Sequence, residues 1–335
     1  SSEAGNALGL LSISGSSISA EIDSMTVEAV SGDAYGVNGY GSTVSGDIGN
    51  MTVTGTGIAV GVLSVSSDID LLMNGDMTVT STGTGEATGV VAELGGEVTV
   101  AGLGSLSVTA ADGYATGVKA STDSNVSASM SGDITVGTSN GYASGVMAVN
   151  NSSAVLVGAG TMDVYSGAGG NALGVVSVMG SSVSADIGSM NVEAAGGNAF
   201  GVYAVSGAVS GDIGSMTVRG TGESVGVLSA SSDVDLLMDG DMTVTSTVSG
   251  EATGVVAELS GEATVTGLGS LIVTAADGYA TGIKADTGSN VSVAMAGDIT
   301  VETSDGYAYG VAAVNNSSTE LTGAGTMDVY SGAGG

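Results

Sequence analysis

The second half of the sequence repeats the first, and this internal repeat limits the possible folds more than any other feature. Residues 6–170 and 171–335 align without a gap and are identical at 121 of 165 positions. For example, SSDIDLLMNGDMTVTST at 66–82 returns as SSDVDLLMDGDMTVTST at 231–247. The chain is therefore two copies of one unit after five leading residues, and we expect the fold itself to be repetitive.

Each unit contains a shorter period, which defines the elementary building block. The pattern G-x-A-x-G-V, taken loosely, recurs at nearly even intervals along the whole chain. Its first glycines are Gly5, Gly32, Gly57, Gly85, Gly113, Gly141, Gly170, Gly197, Gly222, Gly250, Gly278 and Gly306. A period of roughly 25 to 29 residues is typical of helical repeats or of the coils of a β-solenoid, and it predicts twelve of them here.

The residues within the repeat favour strands over helices. Glycine makes up 60 of the 335 residues, Val, Thr and Ser alternate over short spans, and no apolar stripe recurs every 3.6 residues. All coils but one close on an apolar–polar–apolar triplet such as Met216-Thr217-Val218, the pattern of a strand with one buried face, and the exception is Leu271-Ile272-Val273. We predict an all-β fold, a parallel β-helix (β-solenoid) of about twelve coils, each of roughly 25–29 residues with about three strands.

Two details of the coil predict how its core is built. Stacking of the closing triplets places eight methionines in one ladder: Met25, Met51, Met77, Met162, Met190, Met216, Met242 and Met327. In the opening segment an Ala and a Val stand three residues apart, so a straight strand could not point both inward. We therefore expect a bend at the glycine that lies between them.

The residue types that are missing exclude several classes of function. Histidine and cysteine are absent, which excludes Ser-His-Asp and Cys-His catalysis, zinc fingers and disulfides. Only three Lys and Arg stand against 34 Asp and Glu, giving a net charge of −31, so we expect no binding to nucleic acid. No run of about 18 apolar residues is present, so we expect no membrane span in this segment.

Acidic residues concentrate near one corner of each unit. They are Asp68, Asp70 and Asp76, with the copies Asp233, Asp235 and Asp241. Carboxylates are the hard oxygen ligands that Ca²⁺ prefers, although the nonapeptide calcium repeat GGxGxDxUx is absent. The sequence predicts weak calcium binding at these corners as its one cofactor and leaves open a diffuse cloud of cations. Paired carboxylates could also hydrolyse glycosides, but Trp is absent and aromatic residues are few, so we expect no catalytic residues.

Three phrases of the sequence resemble repeats of a known group. GYASGVMA at 141–148, GDITV at 132–136 and GEATGVVAE at 85–93 are similar to the passenger repeats of autotransporter and filamentous-haemagglutinin-type adhesins. The resemblance extends over essentially the whole chain. It implies a right-handed parallel β-helix that is exposed on the surface of a bacterial cell.

These observations lead to one functional expectation and one alternative. We expect residues 1–335 to form a single continuous solenoid within a longer array, since neither end shows a polar cap. The expected function is that of a non-enzymatic, extracellular structural protein: a segment of a cell-surface adhesin, fibre or sheath that assembles end to end with itself or with further repeats. Glycans or a neighbouring cell surface are further expected partners.

The alternative is a carbohydrate-active β-helix enzyme or a glycan-binding module. Either of these needs a concave cleft lined by acids and aromatic rings. Because the coils are so even in length, we expect little room for such a cleft.

Overall fold

The computed structural model describes residues 5–332, and the outermost parts of the predicted solenoid, 1–4 and 333–335, lie outside them. The described chain consists of strands and turns, with no helix between residues 5 and 332. Its 31 strands wind into twelve successive coils. The predicted all-β parallel solenoid of about twelve coils is confirmed.

The strands follow the chain coil by coil. Coils 1 to 4 contain β1 (Ala7–Ile13) and β2 (Ser17–Ala29); β3 (Ala34–Tyr40) and β4 (Thr43–Gly55); β5 (Ala59–Val65), β6 (Asp68–Met73) and β7 (Met77–Ser81); β8 (Ala87–Glu93), β9 (Glu97–Leu103) and β10 (Leu106–Ala110). Coils 5 to 8 contain β11 (Ala115–Ser121), β12 (Asn125–Met130) and β13 (Ile134–Thr138); β14 (Ala143–Val149) and β15 (Ser153–Ser166); β16 (Ala172–Val178) and β17 (Ser182–Ala194); β18 (Ala199–Val205) and β19 (Ala208–Gly220). Coils 9 to 12 contain β20 (Ser224–Ala230), β21 (Asp233–Met238) and β22 (Met242–Ser246); β23 (Ala252–Glu258), β24 (Glu262–Leu268) and β25 (Leu271–Ala275); β26 (Ala280–Ala285), β27 (Asn290–Met295) and β28 (Ile299–Thr303); β29 (Ala308–Ala313), β30 (Ser318–Thr322) and β31 (Met327–Ser331).

The strands form two parallel sheets that run along the whole rod. The first strand of every coil belongs to a twelve-stranded sheet, called the front sheet below. The other nineteen strands form a second sheet with two faces, and in five coils the strands of these faces continue as one, in β2, β4, β15, β17 and β19. Pairing of β14 with β16 and of β15 with β17 carries both sheets from the first unit into the second.

The core is the predicted ladder of large apolar side chains, packed against small residues of the front sheet. Met216 pairs in register with Met190 on one side and Met242 on the other, and it is 1% exposed. Leu106 and Ile134 occupy the same row in coils 4 and 5. The outward residue of each closing triplet is solvent-facing or partly so, as a strand with one buried face requires.

The glycine in the third position of each front strand is needed for space. A Cβ atom at Gly226 would lie 2.5 Å from Sδ of Met242 and 2.6 Å from the carbonyl oxygen of Gly254. The neighbouring strand pairs with the residues on both sides of this glycine but not with the glycine itself. Ser224 and Val227 are both fully buried. The predicted bend is therefore present, and its cause is the close approach of the front sheet to the methionine ladder.

The first corner of each coil, between the front strand and the next strand, uses left-handed backbone. A residue with φ between +49° and +59° stands there in all twelve coils: Ser14, Gly41, Ser66, Leu94, Thr122, Asn150, Met179, Ser206, Ser231, Leu259, Thr287 and Asn315. In many coils a buried serine then links the corners. The backbone N–H of Ser124 donates to Oγ of Ser152 at 3.2 Å, and that of Ser152 donates to Oγ of Ser181 at 3.1 Å.

Candidate functional site

The structure separates the carboxylates that the sequence placed near one corner. Asp68 and Asp70 are alternate, exposed residues of β6, whereas Asp76 lies beyond that strand, just before β7. Oδ1 of Asp76 accepts a hydrogen bond from the backbone N–H of Ser105 in the next coil, at 2.8 Å. Asp76 therefore caps a turn of the neighbouring coil and is not on the same strand face as the other two.

The second unit repeats this separation. Asp233 and Asp235 are exposed on β21, and Oδ1 of Asp241 accepts a hydrogen bond from the backbone N–H of Ser270 at 2.7 Å. Within residues 5–332 no three acidic side chains are grouped closely enough to hold a metal ion. Calcium binding at these corners remains a prediction.

Strand register brings a different carboxylate beside the exposed pair. Asp68 pairs with Glu97 of β9, and Asp233 pairs with Glu262 of β24. Paired residues on adjacent strands lie about 5 Å apart, so these glutamates are closer neighbours than Asp76 or Asp241. The sequence alone does not reveal these neighbours, because the glutamates belong to the next coil and only the exact register shows which residues meet.

Two of the three cations of the chain lie on the front sheet, and both are paired. Nζ of Lys119 is 3.3 Å from Oε1 of Glu93, and Nζ of Lys284 is 3.4 Å from Oδ2 of Asp286. The pKa of the Asp286 carboxyl lies below its ordinary value, first because Asn315 donates a hydrogen bond to it and also because of Lys284. Such exposed pairs add little stability, but they hold both amines over the outer side of the front sheet.

Two clefts open on that outer side, so the expectation that the coils leave little room for one is wrong. The first cleft has a volume of 410 Å³ and the second of 610 Å³. The first is lined by Glu86, Thr88, Tyr114, Thr116, Lys119, Tyr142, Ser144, Met147 and Leu173. The second is lined by Phe200, Tyr203, Glu223, Val225, Leu228, Glu251, Thr253, Val256, Glu258, Tyr279, Thr281, Lys284, Tyr309, Ala312 and Val314. Outward residues of the front strands form the floor, and the residues just before those strands form one rim.

Five groups recur at equivalent places in the two clefts, one repeat unit apart. In the first cleft they are Glu86, Thr88, Tyr114, Thr116 and Lys119. In the second they are Glu251, Thr253, Tyr279, Thr281 and Lys284. The sequence does carry a signal for them, because GEATGVVAEL and DGYATG stand unchanged in both units. Only the strand register shows that the two phrases line one surface.

Parallel tyrosine rings stand at each cleft. Tyr114 and Tyr142 stack with ring centroids 5.5 Å apart at an interplanar angle of 19°, and Tyr279 and Tyr307 stack at 5.7 Å and 15°. In the second cleft Tyr309 extends the stack at 6.5 Å from Tyr307. All five rings are between 42% and 52% exposed, so they offer aromatic surface to solvent.

The threonines of the cleft floors are buried but lack hydrogen-bond partners. Thr88, Thr116, Thr253 and Thr281 are 7%, 9%, 8% and 6% exposed. Their hydroxyls line the clefts and make no hydrogen bond within the described part of the chain. These hydroxyls open onto the clefts, so solvent or a bound molecule can supply the missing hydrogen bonds.

The second cleft disfavours further negative charge. Burial raises the pKa of the Glu223 carboxyl, and the nearby carboxylates of Glu251 and Glu258 raise it further, whereas Lys284 lowers it. Ile58 stands at the position of Glu223 in the first unit, so this feature belongs to the second cleft alone.

The architecture defines a repeat protein of the β-solenoid class. Comparison of the chain with family models, curated proteins and solved structures gives no match, so the class rests on the fold itself. In the described range no helix is long and apolar enough to cross a membrane.

Proposed function

We propose that the chain is a non-enzymatic structural solenoid, a segment of an extracellular cell-surface fibre, sheath or adhesin that extends by end-to-end stacking. The observation that carries this proposal is the junction between coils 6 and 7. There the last coil of one repeat unit already stacks on the first coil of the next unit, through continuous parallel pairing. A second copy of the chain offers coil 12 a first coil that is identical to coil 7 at 16 of 24 positions, 6–29 against 171–194.

Equivalent ladder residues of coils 6 and 12 show how much apolar surface one stacked coil covers. Met162 and Val164 of coil 6 pair with the next unit and are 0% and 2% exposed. Their counterparts in coil 12, Met327 and Val329, are 42% and 45% exposed. These side chains belong to the core ladder, and a further coil is what covers them elsewhere in the rod.

The first coil resembles coil 7, which stacks on coil 6 within the chain. Met25 stands where Met190 stands in coil 7, and the closing segment TMDVYSGAGG is identical in coils 6 and 12. Unpaired strand edges favour such addition, and burying each large apolar side chain contributes roughly 1.5–3 kcal/mol. Several of these contacts are needed to offset an association cost of roughly 4–15 kcal/mol.

The cell-surface location is supported by the resemblance of GYASGVMA, GDITV and GEATGVVAE to adhesin passenger repeats. A non-enzymatic role is supported by the absence of His and Cys and by the separation of the aspartates described above.

End-to-end stacking is tested with two lysine variants of the last strand. Val329 belongs to the ladder and Tyr330 is the adjacent outward residue, 64% exposed. We expect the whole chain to form filaments as concentration rises, Val329→Lys to stay monomeric because it places a charge in the new core, and Tyr330→Lys to assemble normally. Light scattering and electron microscopy measure filament formation by the three proteins. A wild-type chain that stays monomeric at high concentration, or equal behaviour of the two variants, would overturn the proposal.

A further inference from the structure

We propose that the two clefts of the front sheet bind a neutral glycan, a binding function that goes beyond the structural role proposed above. The glycan lies along the rod axis, over the threonine rows and beside the tyrosines.

The hydroxyl rows point to a polyhydroxylated ligand. Thr88 and Thr116 are paired neighbours on adjacent strands, as are Thr253 and Thr281, so each cleft presents hydroxyls about 4.8 Å apart along the axis. Each hydroxyl both donates and accepts hydrogen bonds, and all four lack a partner among residues 5–332. A sugar hydroxyl has the same dual capacity, so a row of sugar hydroxyls satisfies the row of threonines.

The charged groups of the clefts add an acceptor and a donor. Glu86 and Glu251 supply carboxylates at the rim, and Lys119 and Lys284 supply amines on the floor. A polyanion is repelled by the net charge of −31 and by the carboxylates around Glu223. A polycation would bind anywhere on the acidic surface. Within the clefts, the amine in the floor would repel it. A neutral ligand can use both the carboxylate and the amine.

The aromatic and apolar parts of the clefts suit the C–H faces of sugar rings. The exposed rings of Tyr114 and Tyr279 stand beside the threonines in both clefts. In the second cleft Phe200, Val225 and Val256 form an apolar patch in which no side chain is more than 7% exposed, so part of the floor is preorganised.

The duplication of the clefts favours a long ligand over a small one. Their equivalent groups are six coils apart, which is about 29 Å along the rod. One linear glycan that contacts both clefts binds the second as an intramolecular event, and its apparent affinity rises accordingly.

Binding is tested by titrating the chain with three linear neutral probes: cellohexaose, maltohexaose and chitohexaose. Because Trp is absent and five of the ten tyrosines line the clefts, tyrosine emission responds to a ligand bound there. We expect at least one probe to change the emission saturably and with little dependence on salt. Hexagalacturonate is expected not to bind, and hexalysine is expected to bind only in a salt-sensitive way.

The matched variants are isosteric. Thr116→Val with Thr281→Val removes one floor hydroxyl from each cleft, and we expect affinity to fall about tenfold. Thr109→Val, on an exposed position of β10 outside both clefts, is the control and should bind as the wild type does. The proposal is overturned if none of the three neutral probes binds, if both variants bind equally, or if only hexalysine binds. Filament formation by the same Thr→Val variants, measured by light scattering, separates this outcome from failure of the structural proposal.

Discussion

At the scale of single residues, the third glycine of the front strand sets the distance between two walls of the rod. Its missing Cβ lets the front sheet approach the methionine ladder until Sδ of Met242 lies 2.5 Å from the position that a Cβ of residue 226 would occupy. The glycine is not in the left-handed region, so its backbone freedom is not what is used there. A neighbouring backbone oxygen cannot move aside as a flexible side chain can, and this makes the position intolerant of any side chain.

Substitution of this glycine by alanine tests the close approach. We expect Gly226→Ala to destabilise the rod by about 1–3 kcal/mol, because the new methyl group overlaps Met242 and Gly254. Gly137→Ala is the control: no atom lies within 4 Å of its Cβ position, and alanine there should be neutral or stabilise by about 0.4–1 kcal/mol. Thermal melting followed by circular dichroism compares the two. Equal melting temperatures would contradict the packing described here.

Much of this residue-level order follows from the sequence, and some of it does not. The methionine ladder and the bend at glycine are predictable, because period-2 alternation and an odd step between Ala and Val depend only on local geometry. The neighbours of Asp68 and the unpartnered hydroxyl of Thr116 are not predictable. They depend on which residue of the next coil stands opposite, and the small differences in coil length shift that register from coil to coil.

At the scale of the element, the first corner shows how stacking overrides residue preference. Asn150 and Asn315 suit left-handed backbone, but Leu94 and Leu259 adopt it too, at φ +54°. Hydrogen bonds to adjacent coils impose the conformation: the backbone N–H of Leu94 donates to the carbonyl of Ser121, and its carbonyl accepts from Oγ of Ser66. The two leucines are 58% and 56% exposed, so burial does not compensate for the strain.

Replacing these leucines by the residue that other coils use should relieve the strain. We expect Leu94→Asn with Leu259→Asn to stabilise the rod by about 1 kcal/mol per site, since a bulky residue in this region costs roughly 1–2 kcal/mol. The same change at Leu72, an exposed leucine within β6, should be neutral or destabilising, because asparagine is disfavoured in strands. The melting temperatures of the wild type and of both variants measure these changes in stability. A lower melting temperature for the corner variant would show that the two leucines contribute contacts there.

At the scale of the whole molecule, charge opposes the compact rod. The chain has thirty-four acidic residues, those of the described range lie along coils spaced about 4.8 Å apart, and three cations cannot neutralise them. Neighbouring carboxylates fall within the screening length of about 10 Å at 0.1 M salt, so they repel one another. The pairs of Asp68 with Glu97 and of Asp233 with Glu262 are among the closest of these.

Salt should therefore raise the melting temperature of the rod. We expect an increase along a NaCl series because screening weakens the repulsion. If the predicted calcium binding at Asp68 and Asp233 is correct, we expect a larger increase in CaCl₂ at matched ionic strength. Asp68→Asn with Asp233→Asn, or EDTA, should remove the extra effect of calcium and leave that of sodium. Equal stabilisation by both salts at matched ionic strength would exclude calcium sites, and indifference to both would show that the carboxylates are already paired.

The hydrogen bonds between coils all point along the rod, and this orientation decides how the molecule responds to force. A force that pulls the two ends of the chain apart breaks the hydrogen bonds between the outermost coil and its neighbour first. That coil detaches while the others stay stacked. Each detached coil frees a segment whose extended length is about 90 Å, in exchange for about 4.8 Å of rod. A tether built from such coils gains about 85 Å in length at every coil that gives way, and it dissipates a sudden load in a series of small steps instead of one rupture.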